Sequence, residues 1–449
     1  MNSKYEDIFN RLVKAYYEDR FEETVNDIVI NHEISPQETF KIVCTLCGVS
    51  LDFDNNYLYK LKNAITNYEV NRRFIEKLDS CNIKCKASED VKTSCQLACP
   101  FDAILYDKDN NSTYIDYDLC LGCGNCIEHC KDGKIMDVVE FLPVLDLIKN
   151  NKKVIAAVAP AIAGQFGEKV TLDMLREAFI KIGFTDMIEV AFTADMLTIN
   201  EAVQFNRLVK EPDDLMITSC CCPMWVGMLK KVYNDLVPNL SPSVSPMIAA
   251  GRVIKKLDPE AKVVFIGPCI AKKAEAKEAD IGDAIDYVLT FQELDQVFKA
   301  FDLNLESLKG IPSRDYASRG GRLYARSGGV SLAVYQAIQE LYPEKAKFFK
   351  AIKAEGVKEC KEVLKNALAS DIDANFIEGM GCVGGCVGGP KAIISKEEGR
   401  KFVDDYAFNS PIKVSTHSVT FNEVLKRLNI NSLEDFEKED KTAIFHREF

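Results

Sequence analysis

Val154–Ala159 reads VIAAVA, and Thr171–Gly183 reads TLDMLREAFIKIG. The first is a short uncharged apolar run of strand length. In the second, apolar residues return with helical periodicity on one face. The alternation recurs. MIEVAF (Met187–Phe192) leads into a helix expected from near Asp195, and LMITS (Leu215–Ser219), KVVFIG (Lys262–Gly267) and DYVLTF (Asp286–Phe291) each precede a helical pattern. This repetition predicts an α/β domain with mostly parallel sheets over 141–449. One more helix, in VTFNEVLKRL (Val419–Leu428), is expected to close it. Residues 1–75 read as an amphipathic helical segment, with Ile8, Leu12 and Tyr16 at four-residue spacing. Between them, 76–140 is turn-rich and dense in cysteine.

The 449 residues carry 68 acidic against 56 basic side chains, a net charge of −12. That balance lacks the basic stripe that phosphate contact requires, so no nucleic-acid partner is expected. The longest uncharged apolar stretch, Val154–Ala163, is interrupted by Pro160 and falls well short of a membrane span. The opening MNSKYEDIFNRLVKAYYEDR has no apolar core of a secretory signal. A cytoplasmic protein is expected, with no membrane partner. Its 17 cysteines, in a reducing compartment, read as metal ligands rather than bridges. Cys44 and Cys47, in CTLC, read as packed thiols, with a redox pair as the other reading; Cys360 reads as packed.

Cys120, Cys123, Cys126 and Cys130 form C-x2-C-x2-C-x3-C, the run of bacterial ferredoxins, in which the fourth thiolate serves the neighbouring cluster. Upstream stand Cys81, Cys85, Cys95 and Cys99, the last followed by Pro100. Crossing the fourth ligands assigns Cys81, Cys85, Cys95 and Cys130 to one 4Fe-4S cluster, and Cys99, Cys120, Cys123 and Cys126 to a second. A ferredoxin-like α+β module with two clusters in series is an electron wire. Zinc is the bland alternative, disfavoured by eight cysteines in this interlocked order.

Three further motifs lie at expected strand ends: TSCCCPMW (Thr218–Trp225), GPCIAKKAE (Gly267–Glu275) and EGMGCVGGCVGGP (Glu378–Pro390). Their glycines and prolines read as places where backbone comes close to a bulky inorganic group. In this order the motifs resemble the three signatures of the FeFe-type (iron-only) hydrogenases, and the cysteine-rich module resembles that family's accessory domain. The likeness covers roughly 80–440.

The resemblance implies an oxidoreductase interconverting H2 with protons and electrons at the H-cluster. That cofactor is a cubane bridged to a di-iron unit bearing carbon monoxide, cyanide and azadithiolate. It implies Cys222, Cys269, Cys382 and Cys386 as cubane ligands, with Cys386 bridging. Lys272 resembles the lysine that donates to a cyanide, Met380 the methionine beside the bridging carbonyl, and Ala159-Pro160-Ala161 the turn beside the other cyanide. The family's proton relay maps onto Cys221, Glu201 and Ser241, with Gln204 replacing the outer acid. Anchoring on Thr218-Ser219 instead of Pro223 makes Cys220 the donor. A ferredoxin-type carrier, docking near Lys84, Lys86 and Lys92, and maturation proteins for the di-iron unit are the implied partners. The rival readings are a slow hydrogen sensor and a non-enzymatic iron–sulfur assembly protein.

Overall fold

The computed structural model describes residues 3–69, 73–79, 85, 88, 91–150, 153–219, 221–313 and 317–449. Cys81, Lys84, Lys86 and Cys220 lie outside them. The chain divides into two compact units. One comprises Met1–Lys152, Ile270–Lys277 and Tyr287–Asn304; the other comprises Lys153–Cys269, Glu278–Asp286 and Leu305–Phe449.

The first unit opens with helices Glu6–Tyr17, Phe21–Asn31, Pro36–Leu46 and Tyr57–Thr66. Their apolar faces bury Phe9, Leu12, Val25, Val43 and Leu61. Cys44 and Cys47 are buried there. Burial pushes the Cys44 thiol up to about 12, which keeps it protonated, as a packed side chain should be. A strand–helix–strand order then runs twice: Ile75–Lys77, Ser94–Ala98 and Ile104–Asp107, followed by Ser112–Ile115, Asn125–His129 and Ile135–Asp137. The outer strands pair antiparallel, Ile75 opposite Asp137, and the inner two form a hairpin, Ile104 opposite Ile115. Phe74, Ile75, Ile104, Ile115, Ile135 and Ile270 make the core beneath them.

This unit also holds a buried ion pair. Lys273 Nζ lies 2.6 Å from Glu293 Oε1 and donates to Val138 O at 2.6 Å, with both side chains fully enclosed. Burial alone would lower the Lys273 pKa, but the Glu293 charge raises it above the ordinary value. Glu293 Oε2 also accepts from the Thr290 amide, capping the helix Phe291–Ala300.

The second unit is α/β. Strands Asp186–Glu189, Val154–Val158 and Lys262–Gly267 pair in parallel about Val154–Val158. A second parallel sheet has the order Ala351–Glu355, Phe376–Met380, Met216–Ile217. Three expectations shift. MIEVAF is not one strand: the strand ends at Glu189 and the helix Val190–Leu208 begins at once, not near Asp195. Residues 190–205 of this helix are all buried, so it shows no polar face to mark its start. LMITS contributes only Met216–Ile217 as strand. The tail adds more than Val419–Arg427: short helical turns follow, and His446 pairs with Ser243 as an isolated antiparallel bridge. Among the described residues no helix is long and apolar enough to cross a membrane.

Removing one member of the Lys273–Glu293 pair strands a charge in the interior. Lys273→Met is expected to cost about 3–5 kcal/mol, read as a lower denaturant midpoint. The double change with Glu293→Leu is expected to recover part of it, because the Glu293 charge is then gone while those of Asp137 and Glu140, which also act on Lys273, remain.

Candidate functional site

In the first unit the ferredoxin-type cysteines lie near one another, though among the described residues no group of three or more is close enough to hold a single metal ion. Cys85, Cys95 and Cys130 line one cavity of about 50 Å³ together with Lys77, Thr93 and Asp132; their fourth expected partner, Cys81, is outside the described residues. Cys126 is buried, which pushes its thiol up, and the neighbouring thiols of Cys123, Cys120, Cys99 and Cys95 push in the same direction. Two loop-closing turns explain the convergence. Thr93 caps the helix Ser94–Ala98 in a reciprocal box with Gln96, and Gly124, at φ +85°, starts the helix Asn125–His129. Backbone amides already point at sulfur: Ala103 N to Cys99 Sγ at 3.2 Å, Gly122 N to Cys120 Sγ at 3.4 Å and Lys134 N to Cys130 Sγ at 3.3 Å. Such donors suit thiolates, which are acceptors only. Lys92 is exposed and pairs with Asp102 at 3.2 Å.

In the second unit the cysteine loops follow strand ends. Cys222 is the N-cap of the helix Pro223–Val232, with Pro223 in its first turn. Its Sγ accepts from the Gly381 amide at 3.2 Å, which joins the first motif to the third. The second motif joins the third where Lys391 N donates to Pro268 O at 3.0 Å. Ala159 N donates to Ile266 O at 2.8 Å, placing Ala159-Pro160-Ala161 beside the strand that delivers Cys269. Met380 is buried at the end of Phe376–Met380, and Cys360 packs beneath it, its Sγ 3.4 Å from Met380 O.

The glycines of the third motif require a correction. The space beside them is filled by protein. A Cβ on Gly381 would meet Met224 Cβ at 2.5 Å, one on Gly385 would meet Ser327 N at 2.6 Å, and one on Gly389 would meet Pro268 O at 2.7 Å. These glycines let loops approach one another. The donor set nevertheless fits an iron–sulfur group. Cys222, Cys382 and Cys386 stand on adjoining loops, and two buried hydroxyls at those loops, Ser219 Oγ and Ser327 Oγ, have no protein partner among the described residues. In the first unit, Lys272 Nζ and Glu275 Oε2 pair at 2.5 Å and are both buried, while Glu275 Oε1 has no partner among the described residues.

The relay residues expected from sequence come together. Ser241 Oγ donates to Glu201 Oε1 at 2.5 Å, and Thr218 Oγ1 donates to Glu201 Oε2 at 2.5 Å. Burial raises the Glu201 pKa, against the lowering effect of the Ser241, Ser243 and Thr218 hydroxyls. The buried Tyr324 phenol is pushed well above its ordinary value by burial, with the charges of Glu201 and Cys221 adding to it. Thr218 and Ser243 lay inside stretches read for other residues. Asn200 and His446 gave no sequence signal, because the chain brings them together across 246 positions.

A family model described as the C-terminal domain of the iron only hydrogenase large subunit matches residues 152–390, and a 4Fe-4S binding domain matches 113–133. Iron hydrogenase 1 of Clostridium pasteurianum is 27% identical, over 77% of this chain and 80% of that protein. A protein named as a probable cytosolic Fe-S cluster assembly factor, from Drosophila persimilis, is 25% identical over 60% of this chain and 70% of its own. A solved FeFe-hydrogenase from Chlamydomonas reinhardtii shares the fold, with a TM-score of 0.54 at 22% identity, covering 66% of this chain and 94% of that one.

Gly385→Ala tests the loop-joint reading. The added methyl meets backbone at Ser327 and sits at φ +85°, so a loss of about 1–3 kcal/mol is expected. The loss should appear in thermal unfolding of protein that lacks the di-iron unit; a change confined to fully matured protein would refute it.

Proposed function

The chain belongs to the iron-only hydrogenase large-subunit family, and from that premise we propose that it catalyses the reversible interconversion of H2 with protons and electrons. The observation that carries this is the buried Glu201 carboxyl, held by Ser241 and Thr218 at 2.5 Å each, beside the strand end that bears Cys221 and Cys222. A buried titratable group costs free energy, and a scaffold for cubanes alone has no use for one. A redox catalyst that moves protons to an enclosed centre does.

In this reading Cys81, Cys85, Cys95 and Cys130 would hold one 4Fe-4S cluster and Cys99, Cys120, Cys123 and Cys126 a second, which when bound would supply one-electron transfer. The H-cluster would be held by Cys222, Cys269, Cys382 and Cys386, and when bound it supplies the hydrogen-activating chemistry. The chain's own residues do the rest. Lys272, ion-paired with Glu275, would offer an ammonium donor to an anionic ligand. Met380 fills apolar space with a soft thioether. Ala159-Pro160-Ala161 closes the pocket at the strand end with small side chains. Cys221 exchanges the proton at the centre, and Glu201 with Ser241 carries it onward. A ferredoxin-type carrier supplies or takes the electrons, and separate maturation proteins install the di-iron unit. The 141–449 region would then be the catalytic domain, 76–140 the two-cluster module, and the place of work the cytoplasm.

The likeness to an assembly factor keeps a second reading in view, in which the chain holds cubanes without a di-iron unit. The infrared spectrum of matured protein separates them: bands of metal-bound carbonyl and cyanide are expected, and their absence under conditions that mature a known hydrogenase would sink the proposal. Without maturation, anaerobically purified protein should contain about twelve iron atoms, four for each of three cubanes. A count near eight would leave the second unit without a cluster. Cys221→Ala is expected to lower H2 turnover by about 10²-fold or more at unchanged iron content. A normal rate in that variant, with Cys220→Ala dead, would move the donor by one residue.

A further inference from the structure

Gln204 cannot titrate, so a carboxylate relay of the kind expected from sequence stops short of the surface. The hydrogen bonds beyond Ser241 lead elsewhere. Ser241 Oγ lies 3.1 Å from Ser243 Oγ, and Asn200 Nδ2 donates to Ser243 Oγ at 2.8 Å. Asn200 Oδ1 is 3.1 Å from His446 Nε2, and Gln204 Nε2 is 3.4 Å from the same nitrogen. Ser243 and His446 are also paired through their backbones. Glu201, Ser241, Ser243, Asn200 and Gln204 are all buried, whereas His446 is only half-buried and lines an open cavity of about 760 Å³ with Arg252, Asp440 and Lys441. A row of polar groups therefore begins at an enclosed carboxyl and ends at an imidazole that solvent reaches.

We propose that His446 exchanges protons between the Glu201 carboxyl and solvent, in the place that Gln204 cannot fill. The destination of those protons rests on the hydrogenase reading; the route does not. Outward, the Glu201 carboxylic acid gives its proton to Ser241, which passes its own to Ser243. Each hydroxyl gains one proton and loses one, so neither serine is left charged. Between Ser243 and the neutral imidazole one water molecule would take a proton from the hydroxyl as it gives one to the ring. The imidazolium then releases it to bulk water; no electrons move. Asn200 does not titrate and is a positioning residue: its Oδ1 lies 3.1 Å from His446 Nε2 and holds the ring in place.

The charges around the ring favour rapid release. Burial lowers the His446 pKa, Arg207 and Arg252 lower it further, and Glu439 opposes them. Below that pKa the ring is protonated and can deliver inward; above it the ring is neutral and can only accept. Inward delivery should therefore fall as pH rises through a value below the ordinary histidine range of about 6.5.

The test uses full-length protein without the di-iron unit, so its readout is independent of H2 turnover. At a pH low enough to protonate the Glu201 carboxyl, its hydrogen–deuterium exchange after transfer to D2O is followed by its infrared C=O band, assigned by its loss in Glu201→Gln. His446→Gln is expected to slow this exchange by roughly tenfold or more, with His446→Glu, or Gln204→Glu added to His446→Gln, restoring it. Misfolding would open the carboxyl to water and speed exchange, so slowing is diagnostic. In the unaltered protein the exchange rate should track the imidazole titration seen by nitrogen NMR of labelled histidine. Unchanged or faster exchange in His446→Gln, or a rate indifferent to that titration, overturns the route. Missing carbonyl and cyanide bands after maturation would remove the hydrogenase reading and leave this result standing.

Discussion

The indole of Trp225 occupies the place that a side chain at residue 379 would need. A Cβ on Gly379 would lie 2.2–2.4 Å from the indole ring, and Trp225 is the chain's one tryptophan, fully buried. Its Nε1–H donates to Thr218 O at 2.8 Å. One rigid plane thus locks the end of Met216–Ile217 to the end of Phe376–Met380. The first sends the chain into the triple-cysteine loop and the second into the two-cysteine loop. Dispersion over a large buried ring, together with a satisfied indole N–H, fixes such a joint better than a flexible aliphatic side chain does. The Gly381 amide and the Cys222 sulfur then meet without further adjustment.

The polar interior follows from the same geometry. Thr218, whose carbonyl takes the indole hydrogen, turns its hydroxyl to Glu201, so the joint that sets the thiols also sets the carboxyl. Other buried carboxylates are satisfied differently. Glu378 accepts from the amides of Gly328 and Ser331 at 2.7 Å each, and from the Ser331 hydroxyl, at the start of the helix Gly329–Leu341. Asp195 accepts two amides and the Ser318 hydroxyl. Those two are tied to fixed backbone donors and serve as caps. Among the described residues Glu201 is bound by hydroxyls, which both give and take protons, and that difference in partners, rather than burial alone, is what the proposed relay rests on.

Much of this was legible from the chain. Thiol spacing is a local property, and C-x2-C-x2-C-x3-C reads the same in sequence as in space. The strand–helix alternation also came through wherever helices keep a polar face. It failed at Val190, where the helix is enclosed on every side and its apolar run looks like a continuing strand. Glu201 and Ser241 were accessible because the family resemblance maps a proton relay onto them; the contacts beyond Ser241 were not. His446 reaches Asn200 only because the tail folds back to pair with Ser243, and nothing in the residues around 446 announces a contact so far away in the chain.

The glycines carry the most consequential difference between pattern and structure. A Gly-rich cysteine loop invites the view that its missing side chains make room for an inorganic group. In the folded chain that room at 381, 385 and 389 is taken by Met224, Ser327 and Pro268. Each glycine therefore joins the third motif to a different distant segment, at a separation that any Cβ would break. A loop pinned at three points holds Cys382 and Cys386 in position before any metal arrives. For the proposed ligands this means pre-organisation by backbone packing, with the entropy of ordering them met by folding rather than by cluster binding. The same glycine pattern so serves the cluster indirectly, through the protein's contacts with itself.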